Sequence, residues 1–301
     1  MIILEPNNML VESCLNSKFN SLKEEPNKIH YFEEFFSDFD RTTYRINLKD
    51  KDLSIIQISI KLTCYNDLQN NNLNEYLTSV YGSMLSSEPL DGYSVTLDVD
   101  LNVSLEEFEA LVKKVSLLKR NCFASVMVKF FNLQKNGANN EVSKIAYRDN
   151  ESFFLKAASD RVTIIYSTQF RDIDDLTISR VFMQEFTETK RRMDSAPQVL
   201  YSPKTPPSEI SHMADSAENL AYITFVLEPR HYTEARREKT IDLIFMLRNY
   251  LHYHIKCSKA YLQMRMRAKT TEFVKVLNRA KEVDNAKNPC VKINLNVLNE
   301  I

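Results

Sequence analysis

The stretch "HYHIKCSKAYLQMRMRAK", from His252 to Lys269, decides how the rest of the sequence is interpreted. It mixes aromatic, methionine and cationic side chains, and neither glycine nor proline occurs between Tyr232 and Lys287. A helix from Glu234 to Lys281 would be about 70 Å long, whereas a domain of this size is about 30 Å across. We therefore predict one very long helix, part of which lies outside its own domain.

Two apolar rows run along this predicted helix at three- and four-residue spacing. One row can pack against the helix's own sheet, but two rows on so long a helix predict that a second protein covers it. The first row comprises Ile244, Leu247, Leu251, Ile255, Leu262, Met266, Phe273 and Leu277, and beside it lie Met246, Tyr250, Tyr253, Cys257, Tyr261 and Met264.

The charge of the chain is unevenly distributed. Its formal net charge is -1, yet nine cations and a single acid, Glu272, lie between Leu243 and Lys281. Such a dipolar chain suits a partner with an acidic surface. Nucleic acid would also suit a basic helix, but here large apolar residues are interleaved with the cations. A membrane-surface helix needs a cleaner separation of faces. We favour a protein partner, with a nucleic-acid-binding module as the alternative.

Alternating residues predict strands in "IIQISIKLTC" (55–64) and "YSVTLDVDL" (93–101), each with one polar face. Helical spacing predicts helices over Asn7–Phe19, Asn66–Tyr81 and Ser104–Leu118, the last with a capping box of Ser104 and Glu107. Further on, we predict a helix over Arg120–Leu133, followed by three short strands with turns at Asn150 and Asp160. A helix over Leu176–Lys190, capped by Asp174 or Asp175, comes next. Two more strands follow, with an exposed loop over Pro203–Asn219 between them.

These elements predict an α+β fold of two related domains, each a mostly antiparallel sheet with flanking helices, plus the very long C-terminal helix. The first domain is predicted over 1–120 and the second over 121–281, followed by a loosely ordered tail over 282–301. The chain has no apolar run of about 18 residues, and its N-terminus lacks the pattern of a signal peptide. We therefore expect a cytoplasmic protein that does not insert into a membrane.

The sequence offers little for catalysis. Only three glycines occur, so the glycine-rich phosphate loops are absent. Asp98 and Asp100 share one strand face, which favours a solvated face over paired catalytic carboxylates. Asp172, Asp174 and Asp175 favour a turn and helix start over a metal site. We therefore predict no catalytic residue, no cofactor and no enzyme activity.

The five cysteines form neither a disulfide framework nor a CxxC metal motif, which fits a reducing cytosol. On a helix, His252 and His254 point about 200° apart, so that only His254 and Cys257 share a face. We predict no metal there. Cys122 and Cys257 are interpreted as small buried apolar side chains.

Several blocks closely resemble the subunit 2 family of the actin-related protein 2/3 complex. They are "LKRNCFASV" (118–126), "YRD" (147–149), "DRVTIIYST" (160–168), "VFMQEF" (181–186), "APQVLYS" (196–202), "YITFVLEPRH" (222–231) and the whole of 247–280. The resemblance implies two related α+β domains and a long helix that pairs antiparallel with subunit 4. That pair supports the two actin-related proteins and contacts an existing actin filament, from which a branch is nucleated. The subunit itself is implied to be non-catalytic.

The resemblance also implies two sites. The helix-pairing seam would include Leu251, Ile255, Leu262, Met266 and Phe273. Actin is acidic, so cations would steer and fix the filament contact. The implied filament-facing residues are Arg148, Asp149, Arg161, Lys190, Arg191, Arg192, Lys269 and Lys275. The implied location is the actin cytoskeleton of the cell cortex and protrusions.

Overall fold

The structure is a computed structural model that describes residues 4–24, 32–38, 40–49, 52–137, 141–192, 196–214 and 219–280. The predicted tail over 282–301 lies outside the described residues. The elements form two antiparallel sheets with flanking helices, which confirms the predicted α+β fold.

The N-terminal sheet has four strands in the order β1-β2-β3-β4, all antiparallel. Its strands are β1 (Glu33–Ser37), β2 (Thr43–Lys49), β3 (Asp52–Lys61) and β4 (Val95–Asp100), and the helices around it are α1 (Met9–Glu24), α2 (Tyr65–Gln69), α3 (Leu73–Tyr81) and α4 (Leu105–Ser116). The predicted capping box of α4 is confirmed, since the Glu107 N–H donates to Ser104 Oγ at 3.3 Å and the Ser104 N–H donates to Glu107 Oε2 at 3.0 Å.

The C-terminal sheet has five strands in the order β5-β6-β7-β9-β8, again all antiparallel. Its strands are β5 (Val142–Arg148), β6 (Glu151–Ala157), β7 (Val162–Gln169), β8 (Gln198–Pro203) and β9 (Leu220–Leu227), accompanied by α5 (Leu118–Lys135), α6 (Ile173–Arg192) and α7 (Arg237–Ala280). The predicted turn at Asn150 is confirmed, and its left-handed φ of 59° suits an asparagine.

Three element predictions need correction. The single helix over Asn66–Tyr81 is two helices, because Asn72 adopts a left-handed φ of 64° before α3. Helix α6 begins at Ile173, so Asp174 and Asp175 lie in its first turn, where acids suit the helix dipole, rather than capping it. The predicted strand set also lacked β1 and β2.

One continuous hydrophobic core serves both sheets. It contains Ile58 of β3, Phe130 of α5, Ile164 of β7 and Ile244 of α7, all fully buried. A smaller cluster lies around Ile210, which is buried although it belongs to the loop predicted to be exposed. This loop prediction is therefore wrong at Ile210, because a short 3₁₀ turn there packs with residues of β6, β7 and β9.

The described residues up to Lys256 form one compact unit, and those from Cys257 to Ala280 belong to a second. The predicted boundary between 120 and 121 falls inside α5, and the division into two separate domains remains a prediction. In the described part of the chain, no helix is long and apolar enough to span a membrane.

Candidate functional site

The first half of α7 belongs to the core of its own unit. Ile244, Leu247, Leu251 and Ile255 are all buried there, and the backbone oxygen of Ile244 accepts a hydrogen bond from the Tyr166 hydroxyl at 3.1 Å. The predicted partner seam is therefore wrong for Leu251 and Ile255. These side chains recur at helical spacing because they face the chain's own core, a contact that periodicity alone cannot distinguish from a partner contact.

The second half of α7 has the opposite character. Leu262 is 47% exposed, Met266 67% and Phe273 63%. Among the described side chains from Cys257 to Arg279, all except Lys259 are exposed. A row of large apolar side chains left in water is typical of a surface that another protein covers.

Apolar exposure on this half is not confined to one stripe. The exposed set contains adjacent positions that point in different directions around the helix. Its members are Tyr261, Leu262, Met264, Met266, Phe273, Val274, Val276 and Leu277. This arrangement suits a helix that is contacted from more than one side.

The cations of α7 differ in whether they form ion pairs with buried or with exposed acids. Lys256 binds Asp175, which is buried in the first turn of α6. Lys269 donates to Glu272 at 2.7 Å, but both side chains are largely exposed, so the pair is weak. Lys275 is exposed as well. Lys269 and Lys275 are therefore accessible to solvent.

A buried ionic cluster lies where β5 and β6 meet α7. Glu151 is 3% exposed and accepts hydrogen bonds from Arg248 Nε at 2.6 Å and Arg248 Nη2 at 3.0 Å. Arg148 Nε lies 3.8 Å from the same carboxylate and has no hydrogen-bond partner among the described residues. Burial lowers the pKa of the Arg148 guanidinium, and the charge of Arg248 lowers it further. Arg148 thus carries a charge that Glu151 only partly balances.

The other implied filament residues of this region are more exposed. Asp149 Oδ2 lies 2.6 Å from Arg41 Nη2, and the two side chains are 70% and 72% exposed. Arg161 lies 3.8 Å from Asp160 at the turn before β7. Lys190, Arg191 and Arg192 end helix α6, while their side chains lie outside the described part. The structure brings Arg148 and Asp149 together in one turn and leaves Arg161 at another.

The candidate metal ligands do not converge in the described structure. The His252 ring stacks on Phe170 with 5.3 Å between centroids, and the His254 ring stacks on Phe182 at 5.7 Å. Burial lowers the pKa of His252 to about 3, with Arg248 and Arg148 adding to the effect. Within the described ranges, no group of three His, Cys, Asp or Glu could hold a metal ion.

The two cysteines interpreted as buried behave differently. Cys122 is fully buried in α5, as predicted, and burial raises the pKa of its thiol. Cys257 is exposed, so the prediction is wrong there. The reason is that Cys257 follows the last residues of α7 that pack in the core.

The sequence interpretation overlooked two arginines near the ionic cluster. Arg41 comes from the turn before β2, and Arg171 follows β7. Both line the same cavity as Arg148, although they are distant in sequence. A lone arginine in a turn carries no local signal, so only the fold could bring the three together.

Comparison with known proteins agrees with the sequence motifs. Residues 58–284 match the family model described as Arp2/3 complex, 34 kD subunit p34-Arc. The actin-related protein 2/3 complex subunit 2 of Schizosaccharomyces pombe is 36% identical over 306 residues, covering 93% of this chain and 94% of that protein. The protein of the same name from Dictyostelium discoideum is 34% identical over 285 residues, with the same coverage. The resemblance is thereby confirmed, and the chain belongs to the p34-Arc family, the 34 kD subunit of the Arp2/3 complex.

Proposed function

We propose that this protein is a non-catalytic scaffold subunit of the actin-related protein 2/3 complex. It pairs with subunit 4 through α7, contacts the side of an existing actin filament, and supports nucleation of branched filaments. Its place is the cytoplasmic actin cytoskeleton, at the cell cortex and in protrusions. Membership of the complex is supported by the similarity to the relatives named above. The pairing with subunit 4 is supported by a single observation, the exposed apolar side chains on the second half of α7.

The apolar side chains on that half explain why a permanent partner is required. Leu262, Met266 and Phe273 each leave large apolar areas in water, and burial is worth about 25 cal/mol per Å² of such area. A helix contributed by another subunit could cover them in the manner of a coiled coil. We therefore keep these three residues as the partner seam and omit Leu251 and Ile255, which pack in the chain's own core.

The filament contact is proposed for the cationic surface. Its cations are Arg148, Arg161, Lys190, Arg191, Arg192, Lys269 and Lys275, and Asp149 lies next to Arg148 in the chain. The exposure of Arg161, Lys269 and Lys275 supports the proposal, because cations in solvent can attract an acidic filament over about a Debye length. Arg148 is half-buried, so it can contact only a group that enters its cavity.

The pairing is tested by co-expressing the full chain with subunit 4 and measuring copurification. Leu262→Asp and Phe273→Asp should abolish copurification, because each places a charge in the covered surface. Gln263→Asp adds the same charge to the same half of α7 and should have a much smaller effect. Retention of subunit 4 by both apolar variants would contradict the proposed seam.

The filament contact is tested by cosedimentation of the assembled complex with actin filaments. Charge reversal at Arg191 and Arg192 together, or at Arg161, should reduce binding, and the difference from the unmodified assembly should shrink as ionic strength rises. Arg230→Glu, at an exposed arginine paired with Glu228, serves as the control. Unchanged binding by the site variants would overturn the residue assignment. Binding of nucleic acid by the complex in a gel-shift assay would instead favour the alternative function.

A further inference from the structure

A polar cavity of about 480 Å³ lies beside the ionic cluster, and three of its charged groups come from turns or connecting segments. Arg41 comes from the turn before β2, Asp149 from the turn between β5 and β6, and Arg171 from the segment after β7. Arg148 and Arg248 also line it. The cavity therefore combines residues of both sheets within the first compact unit.

Most charges in this cavity already have partners. Asp40 lies 2.6 Å from Lys119, Glu151 holds Arg248 with two hydrogen bonds, and Asp149 pairs with Arg41. Among the residues that the structure describes, Arg148 has only the distant contact with Glu151. Arg171 is exposed and forms no ion pair within the described part of the chain. Within the described residues, two guanidinium groups of this cavity are thus incompletely balanced, since Arg148 shares Glu151 with Arg248 and Arg171 forms no ion pair.

The balance of charge indicates which anion fits. The lining contains four arginines and three acids, namely Asp40, Asp149 and Glu151, which leaves one unit of positive charge. A single carboxylate would neutralise that excess. A phosphate monoester carries about -1.5 to -2 at neutral pH and would add to the three acids already present. Guanidinium groups also match the planar geometry of a carboxylate, which they can bind with two parallel hydrogen bonds.

The ion pair between Arg41 and Asp149 at the cavity is weak enough for a ligand to break. Both side chains are largely exposed, and exposed ion pairs contribute little to stability. An incoming carboxylate can therefore compete with Asp149 for Arg41 at little cost. Asp149 would then act as an internal competitor of the ligand rather than as a contact residue.

We propose that this cavity receives one Asp or Glu side chain of the actin filament, which binds Arg148 and Arg171 and displaces Asp149 from Arg41. The inference rests on the proposed filament contact and deepens it. It assigns a binding role to Arg171 and Arg41. It also reverses the expected effect of Asp149, because removing that acid should favour binding.

The experiment measures cosedimentation of the complete assembly with actin filaments. Arg171→Gln should weaken binding about five- to tenfold, the range for loss of one hydrogen bond of ordinary net strength at an exposed position. Asp149→Asn should strengthen it about two- to fivefold, since it frees Arg41 from an exposed pair. Arg230→Gln, an exposed arginine outside the cavity, should leave the affinity unchanged. Thermal unfolding of each variant checks that the fold is intact.

The outcomes separate this inference from the broader proposal. Normal binding by Arg171→Gln, or weaker binding by Asp149→Asn, overturns the carboxylate cavity even if the Arg191 and Arg192 reversals abolish cosedimentation. Failure of the unmodified assembly to bind filaments overturns the proposed function itself. Opposite changes for Arg171→Gln and Asp149→Asn, with an unchanged control, support the cavity, because a merely structural role predicts weakening in both.

Discussion

Arg120 and Asp242 join α5 to α7 through a hydrogen bond of 2.8 Å between the guanidinium Nε and the carboxylate Oδ1. The guanidinium also donates to Asn121 Oδ1 at 3.0 Å and to the backbone oxygen of Glu238 at 3.1 Å. Arg120 is only 3% exposed, so its charge depends on these partners. The start of the long helix is therefore held by a buried charge as well as by apolar packing.

Loss of this arginine should destabilise the chain strongly. Arg120→Ala is expected to lower the free energy of unfolding by about 1.5–3 kcal/mol, because it removes a buried guanidinium together with its charge-assisted hydrogen bonds to Asp242 and Asn121. Urea denaturation of the full chain with its partner measures the change. Lys113→Ala, at an exposed lysine of α4, should change the value by less than about 0.5 kcal/mol. A loss below about 1 kcal/mol for Arg120→Ala would contradict the inferred role.

The two halves of α7 should respond differently to the same truncation. Leu251→Ala is expected to cost about 2–5 kcal/mol, because it leaves a cavity in the core. Leu262→Ala removes an exposed side chain and should change the stability of the free chain by less than about 0.5 kcal/mol. Equal effects in chemical denaturation of the free chain would show that both residues are covered alike.

His252 should make stability depend on pH. Burial lowers the pKa of His252 in the folded protein to about 3, from the usual value near 6.5. The positive charges of Arg248, Arg148 and Lys256 lower this pKa as well, whereas Asp175 raises it. The unfolded chain therefore binds more protons in this range. Stability is fully present above pH 6.5 and is lost as the pH falls toward 3.

The measurable consequence is a loss of about 1 kcal/mol between pH 7 and pH 5.5. Urea denaturation at the two pH values checks it, and comparison with His252→Asn isolates the contribution of this histidine. The variant should lose about 1 kcal/mol less than the unmodified chain over the same interval. The same pH dependence in both proteins would show that His252 keeps its ordinary pKa.

Cys257 offers a chemical test of the covered surface. In the free chain it is exposed, so a maleimide reagent should modify it readily, whereas Cys122 should react only after unfolding. Binding of subunit 4 should slow the modification of Cys257 at least about tenfold if the partner covers this part of α7. Mass spectrometry of the labelled peptides gives the rates, and Cys257→Ser confirms the site. Undiminished labelling in the complex would place the partner elsewhere.

The sequence predicted elements whose signal is local. The alternation in β3 and β4 and the capping box of Ser104 and Glu107 were sufficient, because each depends on residues close together in the chain. β2 carries the same alternation, with Tyr44 and Ile46 buried, so the sequence held the signal for this strand although it was not predicted. β1 gave no such signal, since its middle residues are exposed.

The candidate sites could not be predicted as well, because they depend on contacts between distant parts of the chain, which the spacing of apolar residues does not reveal. Helical spacing grouped Leu251 with Leu262, although the first faces the core and the second faces water. Likewise, no pattern in the sequence links Arg41 to Asp149, which are brought together by turns of different sheets. The length of α7 was predicted well because only the absence of glycine and proline was needed for it.

The shared core limits how this polypeptide can be dissected. A fragment ending near residue 120 would cut α5 and strip Ile58 and its neighbours of the side chains that cover them from the other sheet. Such a fragment would be expected to precipitate rather than fold, and transplanting either sheet into another protein should fail for the same reason. Fusion partners and tags should therefore be placed at the ends of the chain, and any fragment made for study should keep all residues up to Lys256.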